Sequence, residues 1–351
     1  MGIIRFNNVG IKGLSVSVPH NAVKNIDQVG FFKKSELEEF IKKTGIVERR
    51  IAPDGMCSSD LCEHAANRLI EDMGIDRNKI DALVFLSQTP DYRVPATSIL
   101  LQDRLHLSKD TMAFDMNLAC SGYIYGLAMC YALVSRPDIN NVLFLLGETM
   151  SKIVSKTDRG TALLLGDAGS ATLITKDSTC GDSVFALETD GSNFDATHIL
   201  YGGYRHMSSV EGLKCKTYED GSMRNGEQAM MNGMDVFSFA ISALPKNIKK
   251  LLEACDLDIK DIDKFIFHQS NQFMMDIIAK KVRLDPNKVL YSISKFGNTS
   301  GCSIPLTFAD KRELLSSNDR LLLNAIGAGL SYCSAILHLP SHCNILSIGE
   351  L

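Results

Sequence analysis

Tryptophan is missing from the 351 residues. Paired cysteines are missing too: Cys57, Cys62, Cys120, Cys130, Cys180, Cys215, Cys255, Cys302, Cys333 and Cys343 are scattered, with no C-x-x-C. Such spacing reads as free thiols in a reducing compartment, mostly small buried hydrophobes, and it offers no zinc or other metal site. No window approaches about 18 uninterrupted apolar residues, so no membrane span is expected. The start Met1-Gly-Ile-Ile-Arg-Phe lacks a signal peptide's long apolar stretch, and Gly2 lacks the Ser or Thr a myristoylation site wants. A cytoplasmic protein without membrane attachment is the expectation. Charge of one sign is not in excess. Lys plus Arg number 37 against 41 Asp plus Glu, a net charge of -4. That excludes the basic surplus of a nucleic-acid binder.

What is present is a full core. Apolar residues make up 45% and charged residues 22%, a globular balance rather than a disordered one. The length suits one large domain or two ordinary ones. Apolar runs at Ala82–Leu86, Asn141–Leu146, Ala162–Leu165, Lys264–Phe267 and Arg320–Leu323 read as buried strands. Helical patterns cover Asp60–Met73, Ser121–Ser135, Val236–Cys255 and Asn271–Arg283. The class is α/β with covered sheets. The stretch 181–228, rich in Gly, Ser, Asp and charge, reads as a loop-rich connection.

The two halves resemble each other. Lys79-Ile-Asp-Ala-Leu-Val-Phe85 parallels Asp261-Ile-Asp-Lys-Phe-Ile-Phe267, and Asp103-Arg-Leu-His-Leu107 parallels Lys280-Lys-Val-Arg-Leu284. Ser121-Gly122 answers Ser300-Gly301, and Gly147 answers Gly327. The matches keep one order and one period, so an internal duplication is expected, with halves 1–180 and 181–351. A pseudo-twofold would then bring equivalent strand ends together, where open α/β sheets place their chemistry.

Cys120 follows an extended apolar segment and precedes a helix beginning near Ser121. The positive end of a helix and its free N–H groups favour a thiolate over a free thiol of pKa roughly 8.5. Taken alone, the string fits a buried structural cysteine as well as a nucleophile. His268 ends a hydrophobic strand in Phe265-Ile-Phe-His-Gln-Ser-Asn271. It is either a satisfied strand-end histidine or a donor to a thiolate or oxyanion. Asn298, in Gly297-Asn-Thr-Ser-Gly301, is an ordinary turn residue by composition. Its equivalence to the Cys120 turn makes it a candidate neutral donor. Gly327-Ala-Gly329 is either a plain tight turn or a place where backbone N–H groups approach a ligand oxygen. The full G-x-G-x-x-G of a dinucleotide site is lacking.

Taken together the chain resembles the ketoacyl-ACP synthase III family of the thiolase superfamily over nearly its whole length. The resemblance rests on Ala119-Cys-Ser-Gly122, His268-Gln-Ser-Asn271, Gly297-Asn-Thr-Ser300 and Gly327-Ala-Gly329. Lys43-Thr-Gly-Ile46, Asp158-Arg-Gly-Thr161, Gly166-Asp167 and Met231-Asn-Gly-Met-Asp-Val-Phe237 support it. It implies a duplicated thiolase-like fold in five layers (αβαβα), usually a homodimer. It implies Cys120 as the acylated nucleophile in the first half, and His268 and Asn298 in the second serving malonyl decarboxylation. The backbone N–H groups of Cys120 and Ala328 would be oxyanion donors. The implied reaction condenses an acyl-CoA primer with malonyl-ACP, releasing CoA and carbon dioxide. CoA is then a substrate, and no cofactor is held permanently. Lys43, Arg159 and Asn271 match CoA-contacting positions, and Lys280 and Lys281 match a basic pair that docks the acyl carrier protein.

Departures from the family pattern bear on substrate choice. Glu39 or Phe40 stands where the family often has an adenine-stacking Trp, and Phe273 where an Arg is usual. An acyl-ACP primer is therefore a second option. Val94 replaces a bulkier Phe that acetyl-specific members send across the dimer to the pocket base, which implies room for longer primers. Leu100, Met116 or Phe237 could fill the same space. An acyltransferase moving the Cys120 acyl group to an amine or alcohol is the alternative within the same fold. A papain-like Cys-His-Asn hydrolase lacks its C-G-[SA]-C-[WY] string. A silent heterodimer partner would be marked by a lost nucleophile, and Cys120 is present.

Overall fold

Two sheets with the same strand order form the frame of the molecule. The computed structural model describes residues 2–177 and 179–351. In chain order the main elements are β1 (Ile3–Phe6), β2 (Val9–Val18), α1 (Lys34–Thr44), α2 (Ser58–Met73), β3 (Ala82–Leu86), α3 (Thr97–Arg104), β4 (Met112–Met116), α4 (Gly122–Val134), β5 (Asn141–Thr149) and β6 (Asp167–Lys176). The chain continues with β7 (Ser183–Thr189), α5 (Gly233–Cys255), β8 (Lys264–Phe267), α6 (Gln272–Lys281), β9 (Val289–Leu290), α7 (Ile293–Phe296), α8 (Ser303–Asp310), β10 (Arg320–Gly327), β11 (Ser331–His338), β12 (Asn344–Ile345) and β13 (Gly349–Glu350). The first sheet runs β12-β2-β6-β5-β3-β4, with β13 also on β2; the second runs β1-β7-β11-β10-β8-β9. In both, the β5–β3–β4 or β10–β8–β9 part is parallel and the remaining central ladders are antiparallel. That identity of order and direction is the duplication.

The strands are apolar because helices cover both faces. All five residues of β3 are buried, as parallel strands under two helical layers require. Helix α4 is hydrophobic around its circumference, burying Tyr123, Ile124, Leu127 and Tyr131, and it lies with α8 between the sheets. A helix apolar on every side belongs in such a middle layer. Helices α2 and α3 cover the outer face of the first sheet, and α5 and α6 that of the second. The result is five layers, αβαβα.

The boundary at residue 180 falls between β6 and β7, but the chain ends cross it. Strand β1 pairs with β7, Ile3 opposite Ala186, while β12 and β13 add to β2 in the first sheet. The loop-rich stretch expected from 181 begins only after β7. One strand expectation fails. Ala162–Leu165 forms a turn, and only Leu165 makes a bridge, to Asn298. Buried Arg49 holds this turn, its guanidinium donating to Ala162 O at 2.8 Å and Leu165 O at 3.1 Å.

Candidate active site

Each candidate residue sits where a strand or turn ends against the other half. A cavity of about 430 Å³ gathers Cys120, His268, Asn298, Gly327 and Ala328 on its wall. Cys120 precedes the Ser121 cap of α4, and Gly122 N–H donates to Ala119 O at 2.8 Å. His268 follows β8, its own N–H bonded to Asn324 O of β10 at 2.8 Å. Asn298 is fixed in the backbone from both sides. Its N–H donates to Leu164 O, and its O accepts Gly166 N–H, each at 3.0 Å.

Gly297 shows why that turn needs its glycine. Its φ is +65°, and a Cβ would lie 2.7 Å from Arg49 Cγ and 2.9 Å from Leu164 O. Arg49 therefore braces both the 162–165 turn and the Asn298 turn. A lone Arg in the charged run Glu48-Arg-Arg50 carries no sequence signal for such a role; its burial is a tertiary outcome.

The polar groups are oriented. Asn298 Oδ1 accepts Ser300 N–H at 2.9 Å, which leaves its Nδ2 as the free donor toward the cavity. His268 Nδ1 lies 2.8 Å from Ser303 Oγ, and that oxygen also accepts Gln269 N–H at 3.1 Å. Gln269 is glue: wholly buried, it donates to Phe267 O and accepts Ser292 N–H. Asn271 lines the cavity and caps α6, accepting Met274 N–H at 2.8 Å.

Burial sets the protonation states. It pulls the His268 imidazole down to about 4, with the Ser300 backbone acting in the opposite sense. His268 is thus neutral at pH 7. Burial also pushes the Cys120 thiol up to about 11, the bond to Ser300 opposing it. The expected resting thiolate is not met, because lost hydration outweighs the helix end. Glu148, behind the cavity wall, is raised to about 8 by burial; it accepts bonds from Gln88 N–H and Thr89 Oγ1.

The backbone of β10 touches the Cys120 turn. A Cβ on Gly327 would fall 3.1 Å from Cys120 N and 2.9 Å from Ser121 N. This close approach brings the segment carrying Ala328 N–H beside that of Cys120 N–H. Most of the rest of the wall is apolar, including Leu165, Met231, Phe237 and Met274, with Gln88, Thr161, Thr197 and Ser270 as its uncharged polar members. Phe237 of α5 stacks on Phe273 of α6, ring centroids 5.8 Å apart. Of the alternatives for filling the pocket, Phe237 lines it, whereas Leu100 and Met116 do not.

Other expected residues lie outside the cavity. Arg159 pairs with Glu36 at 2.9 Å and packs over the Phe31 ring. Lys43 pairs with Glu39 at 2.6 Å on exposed surface. Lys280 and Lys281 are exposed in the last turn of α6. From Asn271 at the cavity to Lys280 is about 14 Å along the helix at 1.5 Å per residue. Val94 does not reach the cavity of its own chain and is 78% exposed.

Comparison with known proteins places these features. The profile of 3-oxoacyl-[acyl-carrier-protein (ACP)] synthase III matches residues 114–191, and that of the C-terminal part of the same enzymes matches residues 252–339. The beta-ketoacyl-[acyl-carrier-protein] synthase III of Caldanaerobacter subterraneus is 33% identical over 331 residues, 93% of this chain and 97% of that one. Its counterpart in Fusobacterium nucleatum is 32% identical over 335 residues, 94% and 98% of the two chains. The crystal structure of a 3-oxoacyl-(acyl-carrier protein) synthase from Burkholderia xenovorans LB400 superposes with a TM-score of 0.92, 33% identity and 99% of both chains covered.

Proposed function

The chain belongs to the 3-oxoacyl-[acyl-carrier-protein] synthase III family of condensing acyltransferases, and on that premise we propose how its own residues divide the work. Cys120 attacks a primer thioester, acyl-CoA or acyl-ACP, and holds the acyl group while the pantetheine thiol leaves. Malonyl-ACP then enters and loses carbon dioxide. His268 and Asn298 Nδ2 donate to the enolate oxygen left behind. The enolate carbon bonds the acyl carbon, and the Cys120 sulfur leaves, giving 3-oxoacyl-ACP. The N–H groups of Cys120 and Ala328 hold the oxyanion in both acyl-transfer steps.

The observation that carries this reading is the balance of groups around the cavity. Its described lining includes donors but no Asp, Glu, Lys or Arg. Decarboxylation needs only donors for a developing oxyanion. Acyl transfer to an alcohol or amine would need a base, and an imidazole at about 4 is a poor one at neutral pH. Condensation is therefore favoured over the alternative acyltransferase.

Primer and partners follow as part of the proposal. The apolar wall suits a fatty primer longer than acetyl. Tyr92, Val94 and Ile99 are 62%, 78% and 55% exposed. An apolar surface there supports a homodimer whose partner receives Val94. Asn271 would contact the pantetheine arm of either carrier at the cavity. Lys43 and Arg159, already paired with Glu39 and Glu36, would have to exchange those partners for a CoA nucleotide. Lys280 and Lys281 would meet an acidic carrier protein.

Incubation with a panel of acyl-CoAs and acyl-ACPs, followed by intact mass, tests the scheme. One acyl group per chain is expected, absent in Cys120→Ser. His268→Ala and Asn298→Ala should slow malonyl decarboxylation by about 10²-fold or more, with acylation of Asn298→Ala less affected. Acylation persisting in Cys120→Ser overturns the nucleophile. Equal loss of both half-reactions in Asn298→Ala would make Asn298 architectural.

A further inference from the structure

Ser300 meets all three members of the site. Its N–H is the donor that orients Asn298, at 2.9 Å. Its backbone lies beside the His268 ring. Its Oγ lies 3.6 Å from Cys120 Sγ, as acceptor of the thiol proton. Among the described residues that sulfur is the one hydrogen-bond partner of the hydroxyl, although Ser300 is 0% exposed. A buried hydroxyl whose own proton finds no oxygen or nitrogen is unfavourable. The backbone is unfavourable as well: φ is +52°, in the left-handed region that side-chain-bearing residues avoid. Two local costs converge on the one residue whose hydroxyl touches the Cys120 sulfur. Strain of this kind collects at functional sites.

We propose that Ser300 is a further catalytic residue, whose hydroxyl donates a hydrogen bond to the Cys120 sulfur as that sulfur becomes the nucleophile. The proposal rests on the reading of Cys120 as the acylated residue. In the thiol, sulfur donates and Ser300 Oγ accepts. When sulfur loses its proton the direction reverses, and the hydroxyl rotates to donate. The Cys120 sulfur, its proton given up to solvent, then bonds the acyl carbon, the bond from that carbon to the pantetheine sulfur breaks, and the departing sulfur takes a proton back from solvent. Ser300 keeps its own proton throughout. The same reversal serves the last step, when the Cys120 sulfur leaves the condensed product. Among the described residues His268, neutral and hydrogen-bonded at Nδ1 to Ser303, makes no hydrogen bond to the sulfur; besides Ser300, the Cys120 backbone N–H at the helix end is the group that favours the thiolate.

The test is the pH dependence of Cys120 alkylation by iodoacetamide in the full chain, read from the mass of the Cys120 peptide. Ser300→Gly removes the hydroxyl while tolerating a φ of +52° without cost. The alkylation midpoint should rise by about one pH unit, a ten-fold slower reaction at pH 7, equivalent to about 1.4 kcal/mol. Ser300→Ala should shift it equally, because it too lacks the hydroxyl. An unchanged midpoint in Ser300→Gly overturns the proposal. So does a shift confined to Ser300→Ala, since backbone strain would then be the cause. Intact-mass acylation separates the two claims: a wild-type protein that is acylated, but not at Cys120, removes the underlying reading together with this one.

Discussion

Replacing Gly327 by alanine would test the oxyanion site with a single methyl group. The added Cβ would meet Ser121 Oγ at 2.8 Å, Ser121 N at 2.9 Å and Cys120 N at 3.1 Å. Two of these are backbone atoms, which cannot swing aside. The third is held by Ser331 Oγ at 2.6 Å. Relief to ordinary contact requires the two segments to part by roughly 0.5 Å, given carbon contacts near 3.5 Å. That separation moves Ala328 N–H away from Cys120 N–H. A displaced oxyanion donor costs about 10²-fold in rate, or about 2.7 kcal/mol of transition-state stabilisation. The stability cost of such overpacking is about 1–3 kcal/mol. For a chain of this size that lowers the melting temperature by only about 1–2 °C per kcal/mol, at an unfolding entropy of about 2.1 cal/mol/K per residue. The variant should therefore stay folded at 25 °C and be slow. The assay is single-turnover acylation of Cys120 by intact mass, alongside thermal unfolding. Acylation within three-fold of wild type would refute the Ala328 donor. So would a loss rescued at low temperature in proportion to refolding, which would assign the defect to stability.

Three further outcomes follow from the same geometry. His268 has a folded pKa of about 4, below its unfolded value near 6.5. The stability linked to its neutral form is present above pH 6.5 and is lost as pH falls through 4. Malonyl decarboxylation should accordingly show no inflection at 6.5, and one that vanishes in His268→Asn would contradict a buried neutral imidazole. Glu148 is shifted the other way, to about 8. Its contribution is complete below pH 4.5 and is lost as pH rises through 8, at up to about 1.4 kcal/mol per pH unit. Glu148→Gln should flatten the decline in melting temperature between pH 5 and 8, and an unaltered slope would place the effect elsewhere. Lys280→Glu with Lys281→Glu should raise the malonyl-ACP KM several-fold at low salt and leave acylation by CoA thioesters intact, as an electrostatic docking face requires; an unchanged KM removes that face.

Strands β3 and β8 were legible residue for residue, because two covered faces demand an unbroken apolar run and a strand that short has little else in it. Helices α2, α4, α5 and α6 were legible to within a few residues; the start of α5 was read at Val236, although its first turn begins at Gly233 behind the Asn232 cap. The repeat near 180 residues announced two equivalent sheets, since the same ladder order needs the same spacing of strings. Cys120, His268 and Asn298 were legible as turn residues at strand ends, and packing of the halves gathers them around one cavity. Periodicity alone could not separate Ala-Leu-Leu-Leu165 as strand from the same residues as a turn; the guanidinium of Arg49, distant in sequence, decides it. The pairing of Arg159 with Glu36 is likewise a matter of which loops meet. So is the crossing of β1, β12 and β13 into the opposite sheet. Protonation was the least legible property of all. A helix N-terminus is visible in the string after Cys120 and argues for a thiolate. Loss of water around the sulfur depends on every layer above it, and in the folded protein that loss is the larger effect.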